Sequence, residues 1–317
     1  MQVQTKQAEV TAVVVTYQSA HTLDGLLAAA RRGRDAQMLR YVFVDNNSTD
    51  ATAPRLLRES DWAEVLLTGR NNGFGRGCNI GLAKVSTPYT LFLNPDAQIE
   101  PEAVEAMVAF MDCHPQVGIA GPATLCGPLG GPQNYQATST LPTPKTIVRA
   151  AIPLMSPLKD SRPIVPGAPA FATGWVCGAI LMVRTDLAKR LGGFDPRYFL
   201  YWEEMDLCRR AKNLGFETWA VGGAVANHIC GASSDNDDTR ISGCIGKHFY
   251  QSRRFYMIKH HGWVAATVAE LAEFSLLCLR TLADAVRGKG FGRIRPRLQA
   301  PLLSQPAMVA PTIVGAA

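Results

Sequence analysis

An α/β fold built on a mixed, mainly parallel sheet with helices on both faces is what this 317-residue sequence predicts. Three observations lead to it. Short β-branched apolar runs alternate with stretches of helical spacing, the pattern of strands joined by crossover helices. Hydrophobic residues make up 47% and charged residues 18% of the chain, which supports a sizeable core and excludes a disordered one. Polar residues close each apolar run, as happens where the strands of a wound sheet end on an open rim that holds ligands.

The run at 10–17 (VTAVVVTY) has no polar alternation and reads as a strand buried on both faces. Helical spacing follows at 23–32 (LDGLLAAARR), then a second strand at 41–47 (YVFVDNN), and Asp50 and Pro54 open another helix. A third run at 63–69 (AEVLLTG) leads through a Gly/Asn-rich loop into 78–85 (CNIGLAKV), and a fourth at 89–94 (YTLFLN) stops at Pro95. Pro101 sits at a good first helical position ahead of EAVEAMVAFMD. Asp45, Asn71, Asn72, Asn94 and Asp96 therefore gather along one rim. Residues 122–174 crowd Pro and Gly together and are expected to form a long, partly ordered connection. A second half starts at Trp175, with a strand in VCGAILMVR, a short helix at 185–191 and a helix at 203–215 ended by Gly215.

The net charge of +6 is localised. Residues 243–297 carry ten Lys or Arg against three acidic residues, so the rest of the chain is close to neutral and an anionic partner is sought at this segment. Within it, 263–286 projects as a helix whose four charges (Glu270, Glu273, Arg280, Asp284) share an arc of about 100°. Two readings stay open. Either the helix lies in a membrane interface with those charges wet, flanked by Arg253, Arg254, Lys259 and Arg287, or it packs on the protein's own core. No clear membrane-spanning run or signal peptide is present, and the eight cysteines form no C-x-x-C pair, which argues against a zinc ribbon and for reduced, cytoplasmic thiols. The expected organisation is one domain at 1–262 (halves at about 10–121 and 174–262), a basic amphipathic segment at 263–297 and a disordered tail at 298–317.

Five pieces in order carry a resemblance: VVVTYQS (13–19), VDNNSTDAT (44–52), NNGFGRGCNIGL (71–82), LFLNPDAQI (91–99), and GWVCGAILMVR running into GGFDPRYFLYWEEMDLCRRAKNLGF (174–216). Together they resemble the GT-A glycosyltransferases of family 2, in particular the rhamnosyltransferase-like branch. The glycines of the third piece fail the dinucleotide fingerprint, since Cys78 or Ile80 stands where its third glycine belongs, which argues against an oxidoreductase on the same sheet type.

The resemblance implies a nucleotide-sugar cradle from Thr16, Tyr17, Gln18, Asp45, Asn72, Gly73, Arg76, Asn94 and Asp96, with Asp45 accepting from the base and Arg76 donating to phosphate. VDNNSTD also reads as an ordinary loop and helix cap. Asn94-Pro95-Asp96 stands where the family carries its D-x-D metal motif. Asn94 replaces the first carboxylate, so Asp96, with His228 as second ligand or as a structural histidine, would hold Mg²⁺ or Mn²⁺ with weakened affinity. Trp202-Glu203-Glu204-Met205-Asp206 matches the family's E-D-x-D segment. Glu204 occupies the position of the general base, with Glu203 as the alternative, or the carboxylates simply complement the helix dipole. Trp175, Gly178 and Trp202 fall on the acceptor side.

The function so implied is inverting transfer of a sugar, with dTDP-rhamnose as candidate donor, to a lipid-linked saccharide in cell-surface polysaccharide synthesis. The enzyme would sit peripherally on the cytoplasmic face of the cell membrane, at an anionic surface. A non-catalytic nucleotide-sugar binder on the same fold is the competing reading, favoured by Asn94 and Glu204. Nucleic acid is not an expected partner, because the basic segment is a mostly apolar helix.

Overall fold

The structure, a computed structural model, describes residues 9–127, 134–152, 161–229, 239–288 and 294–298. In chain order the elements are β1 (Val10–Thr16), α1 (Leu23–Asp35), β2 (Leu39–Asp45), α2 (Thr52–Leu57), β3 (Glu64–Leu67), α3 (Phe74–Leu82), β4 (Tyr89–Leu93), β5 (Ala97–Ile99), α4 (Pro101–Cys113) and β6 (Val117–Cys126). They continue as β7 (Asn134–Tyr135), β8 (Ala137–Thr138), α5 (Pro144–Ala150), β9 (Arg162–Pro163), β10 (Phe171–Thr173), β11 (Ile180–Arg184), α6 (Thr185–Arg190) and α7 (Glu203–Asn213). The last are β12 (Glu217–His228), α8 (Thr239–His261), α9 (Trp263–Val286) and α10 (Arg295–Leu298). The backbone divides into two compact units. The first holds Met1–Leu141, Ser161–Phe194 and Glu204–Asn236; the second holds Pro142–Asp160, Asp195–Glu203 and Asp237–Ala317.

The first unit is a wound sheet with strand order β10-β12-β6-β11-β4-β1-β2-β3, β5 pairing with β12 and β7 with β6. Strands β4, β1, β2 and β3 run parallel, as do β6 and β12, while β11 is inserted antiparallel between β4 and β6. Alternate residues of β1 feed opposite faces. Val10, Ala12 and Val14 pack with Leu26, Met107 and Met111 on one side, and Val13 and Val15 with Leu82, Leu187 and Phe194 on the other. This double burial is why the run is apolar throughout. Helix α3 approaches the sheet through Gly77 and Gly81, where an added Cβ would lie 2.7 and 2.4 Å from side-chain carbons of Val15 and Val13.

In the second unit α9 packs against α5 and α8. Helix α5 opens on a capping box, the Thr143 hydroxyl accepting from Thr146 N at 3.3 Å and the Thr146 hydroxyl from Thr143 N at 2.8 Å.

Several expectations change. The described residues of 122–174 are more ordered than their Pro/Gly content suggests, for they include half of β6 and all of β7–β10 and α5, while 128–133 and 153–160 lie outside the described residues. The boundary expected at 262 falls between α8 and α9, which belong to one unit. Two of the four charges of α9 are not wet, whereas Arg280 and Asp284 are half-buried. Glu270 and Glu273 are 1% and 6% exposed, facing Arg254 and Arg253, both also buried. Those two arginines are therefore not a surface flank, and Lys259 is paired with Asp195 at 2.7 Å. The tail expected to be disordered lies, from residue 299 on, outside the described residues. The described cysteines form no disulfide, and burial pushes the Cys208 thiol up to about 12.

Candidate active site

Strand register assembles the rim. Thr16 at the end of β1 pairs with Asp45 at the end of β2, and β1 lies beside β4, whose end delivers Asn94. The Asn94 N–H donates to the Ala179 carbonyl at 2.8 Å, so the residues just before β11 stand beside the end of β4.

The nucleotide-side residues form a hydrogen-bonded cradle. The Asp45 carboxylate, 1% exposed, accepts from the Thr16 hydroxyl at 3.0 Å, the Ser48 hydroxyl at 2.6 Å and the Ser48 N–H at 2.9 Å. It braces the loop from inside through hydrogen bonds to both of its oxygens. Gln18 carries a φ of 53° and accepts from the N–H groups of Thr49 and Asp50, tying the first strand's loop to the second's. Tyr17 is 46% exposed at the same place. Gly73 has a φ of 78°, favourable to glycine, and stands immediately before α3. Asn72 exchanges hydrogen bonds with Arg70 at 2.9 and 3.1 Å. Burial and the nearby Arg70 both hold the Arg76 guanidinium below its ordinary pKa.

Asp96 and His228 converge through a second register. Strand β12 runs antiparallel to β5 with His228 opposite Ala97, and the Ile229 N–H donates to the Asp96 carbonyl at 3.0 Å. His228 Nε2 lies 3.1 Å from Asp96 Oδ1 and 3.5 Å from the Asn94 carboxamide. Asp96 is 5% exposed. One carboxylate and one imidazole at this distance fit a divalent cation whose remaining ligands are phosphate oxygens and water. No cluster of three or more His, Cys, Asp or Glu suited to a metal occurs among the described residues.

Three carboxylates open α7, and burial separates them. Asp206 is fully buried and accepts from Arg210 at 2.6 Å, which in turn donates to the carbonyls of Leu191 and Gly193. Glu203 is 4% exposed, whereas Glu204 is only partly buried. An added Cβ on Gly178 would sit 3.4 Å from Glu204 Cβ, an ordinary van der Waals contact, so the two residues are immediate neighbours. The expected acceptor aromatics are less open. Trp202 is 6% exposed and packed on Phe249 and Tyr256 within the second unit, and Trp175 is half-buried against the core of the first. Tyr201 and Trp202 carry φ values of 68° and 71° just before α7, a strained entry of about 1–3 kcal/mol per residue.

Two positioning residues escaped the reading of the sequence. Asn46, 2% exposed, donates to the Gly73 carbonyl at 2.9 Å and so joins the second strand's loop to the glycine loop. Asn79 clamps Phe194, donating to its carbonyl at 2.7 Å and accepting from its N–H at 2.8 Å. Both lie inside the motif segments, but their partners are far along the chain.

Residues 11–152 match the family model described as glycosyl transferase family 2. The chain is 25% identical over 269 residues to an N-acetylglucosaminyl-diphospho-decaprenol L-rhamnosyltransferase of Mycobacterium tuberculosis, covering 79% of this chain and 85% of the relative. It is 24% identical over 215 residues to the low-salt glycan biosynthesis hexosyltransferase Agl10 of Haloferax volcanii, covering 66% of this chain and 63% of that one. Among solved structures, a mannosyltransferase of Pyrobaculum calidifontis bound to GDP-Man and Mn²⁺ aligns with a TM-score of 0.56 at 18% identity, over 89% of this chain and 76% of that one. GalNAc-T7 with UDP, GalNAc and Mn²⁺ aligns with a TM-score of 0.53 at 14% identity, over 71% of this chain and 44% of that one. The wound sheet with its rim of polar residues is that of a GT-A-fold glycosyltransferase, residues 11–152 match the glycosyl transferase family 2 model, and the chain is similar to an L-rhamnosyltransferase over 79% of its length.

Proposed function

We propose that the chain transfers rhamnose from a nucleotide-diphosphate donor to a lipid-linked saccharide, with inversion at C1, in cell-surface polysaccharide synthesis on the cytoplasmic face of a membrane. The observation that carries the chemistry is the partly exposed Glu204 beside Gly178, one residue from Ala179, whose carbonyl holds Asn94. A base and a diphosphate site on the same rim is the arrangement that displacement at C1 needs. Glu204 takes the proton of the acceptor hydroxyl as its oxygen bonds to C1. The C1–O bond to the diphosphate breaks on the opposite face, and the nucleoside diphosphate leaves with the bonding pair. Arg76 balances part of the charge on that leaving group. Asp96 and His228, with Asn94 beside them, would hold Mg²⁺ or Mn²⁺, which when bound neutralises the departing diphosphate. The rhamnosyl group and the lipid-linked acceptor are supported by the mycobacterial relative's name. Two relatives in solved structures were crystallised with Mn²⁺.

A binder without turnover is the second reading, favoured by Asn94 in place of a carboxylate. Glu204→Gln separates the two. Turnover of dTDP-rhamnose by the wild type, falling about 10²–10⁴-fold in the variant with donor affinity retained, is the expected outcome. Absence of turnover by the wild type, with a polyprenyl-diphosphate saccharide supplied and donor binding intact, would favour the binder.

A further inference from the structure

Helix α9 turns its two glutamates inward and six of its apolar side chains outward. Glu270 and Glu273 are buried against the arginines of α8, while Val264, Val268, Leu271, Leu279, Leu282 and Val286 are exposed by 49% to 90%. At 100° per residue those six fall within an arc of about 80° opposite the two glutamates, along about 33 Å of helix. The exposed Ser275 interrupts this face at its middle, leaving apolar groups toward either end, and monomeric soluble proteins rarely leave so many apolar side chains on one face uncovered. The exposed charges described around it have one sign, Asp284 being half-buried on the side of the two glutamates. Lys145 and Arg149 are exposed on α5, which packs against α9, and Arg287 is exposed at the end of α9. Trp263, 57% exposed, marks the other end. In the sequence Lys289 and Arg293 follow, and no acidic residue occurs after Asp284.

We propose that this face of the second unit docks on an anionic membrane surface, with α9 lying in the interface plane, its stripe in the acyl boundary and its basic neighbours among lipid phosphates. No described helix is long and apolar enough to cross a membrane, so the contact is one of lying on, not spanning. Charge selects this occupant over two others. A second copy docked through the same patch would bring Lys145, Arg149 and Arg287 against themselves. The chain's own residues 299–317 hold no Asp or Glu to meet them. The purpose of docking rests on the lipid-linked acceptor proposed above, but the surface itself does not depend on it.

The test is flotation of the full chain with phosphatidylcholine vesicles, with and without 30% phosphatidylglycerol. Binding to the anionic vesicles, weakened by salt, is expected. Leu271→Gln/Leu279→Gln/Leu282→Gln, all at exposed positions, should weaken it at least about tenfold with the melting temperature unchanged. Lys145→Glu/Arg287→Glu should weaken it about fivefold or more per residue. A wild type that ignores anionic vesicles overturns the proposal, as does a dimer in sedimentation equilibrium that the triple variant dissociates. Donor turnover with a water-soluble short-chain acceptor is measured in parallel. Turnover without vesicle binding removes only the docking surface, whereas vesicle binding without turnover removes only the transfer reaction.

Discussion

Glu203, Glu204 and Asp206 are nearly equivalent as letters, and their surroundings give them different work. Asp206 is fully buried and committed to Arg210, Glu203 is buried, and Glu204 alone of the three keeps partial exposure next to a glycine. The same sorting applies to Asp45, which the sequence marks as a rim carboxylate and the fold spends on Thr16 and Ser48. Asp195 gives a pH prediction at this scale. Burial pushes its carboxyl up, but the hydrogen bonds from Arg197 at 2.6 and 2.9 Å and from Lys259 at 2.7 Å outweigh it and hold the pKa well below the ordinary value. The folded-state pKa is depressed, so the stabilisation is complete above the unfolded value of about 3.9 and is lost as pH falls through the folded one. Acid unfolding of Asp195→Asn followed by circular dichroism should therefore show a smaller loss of stability below about pH 4 than the wild type.

At the scale of elements, small residues set how closely helices lie on the sheet. Gly77 and Gly81 repeat at i and i+4 on α3 and allow it to rest on Val13 and Val15. Gly81→Val should force those strands or the helix to shift, costing about 1–3 kcal/mol in urea unfolding, and should weaken donor binding because Gly73 and Arg76 ride on the same helix. The sequence made these strands and helices readable, since buried strands leave unbroken β-branched runs and helices leave 3.6-residue spacing. It hid β7–β10 and α5, whose short segments among prolines carry no periodicity and exist through pairing and capping by distant or local partners.

On the scale of the whole molecule, each unit has its own kind of interior. The first is an apolar core on both faces of a sheet. The second includes buried ion pairs, Arg253 with Glu273 and Arg254 with Glu270, and Arg297 is stacked on Tyr250 with its guanidinium 3.7 Å from Glu270. Removing one partner strands a buried charge. Glu270→Ala should lower stability by about 3–5 kcal/mol, whereas Arg254→Met/Glu270→Met together should recover much of it, as thermal unfolding would register.

By itself the sequence determined the wound sheet, the order of its strands along the chain and the rim at their carboxyl ends, and the resemblance carried by its motif segments singled out Asp96 and Glu204, with His228 beyond those segments. The sheet and its rim follow from local patterns and from the rule that parallel strands end together. Only the tertiary structure decided which carboxylates are buried, that β5 and β12 bring Asp96 to His228, and that α9 faces its glutamates inward. Each of those depends on partners distant in sequence, and a helical projection reports which residues share a face without saying what that face meets.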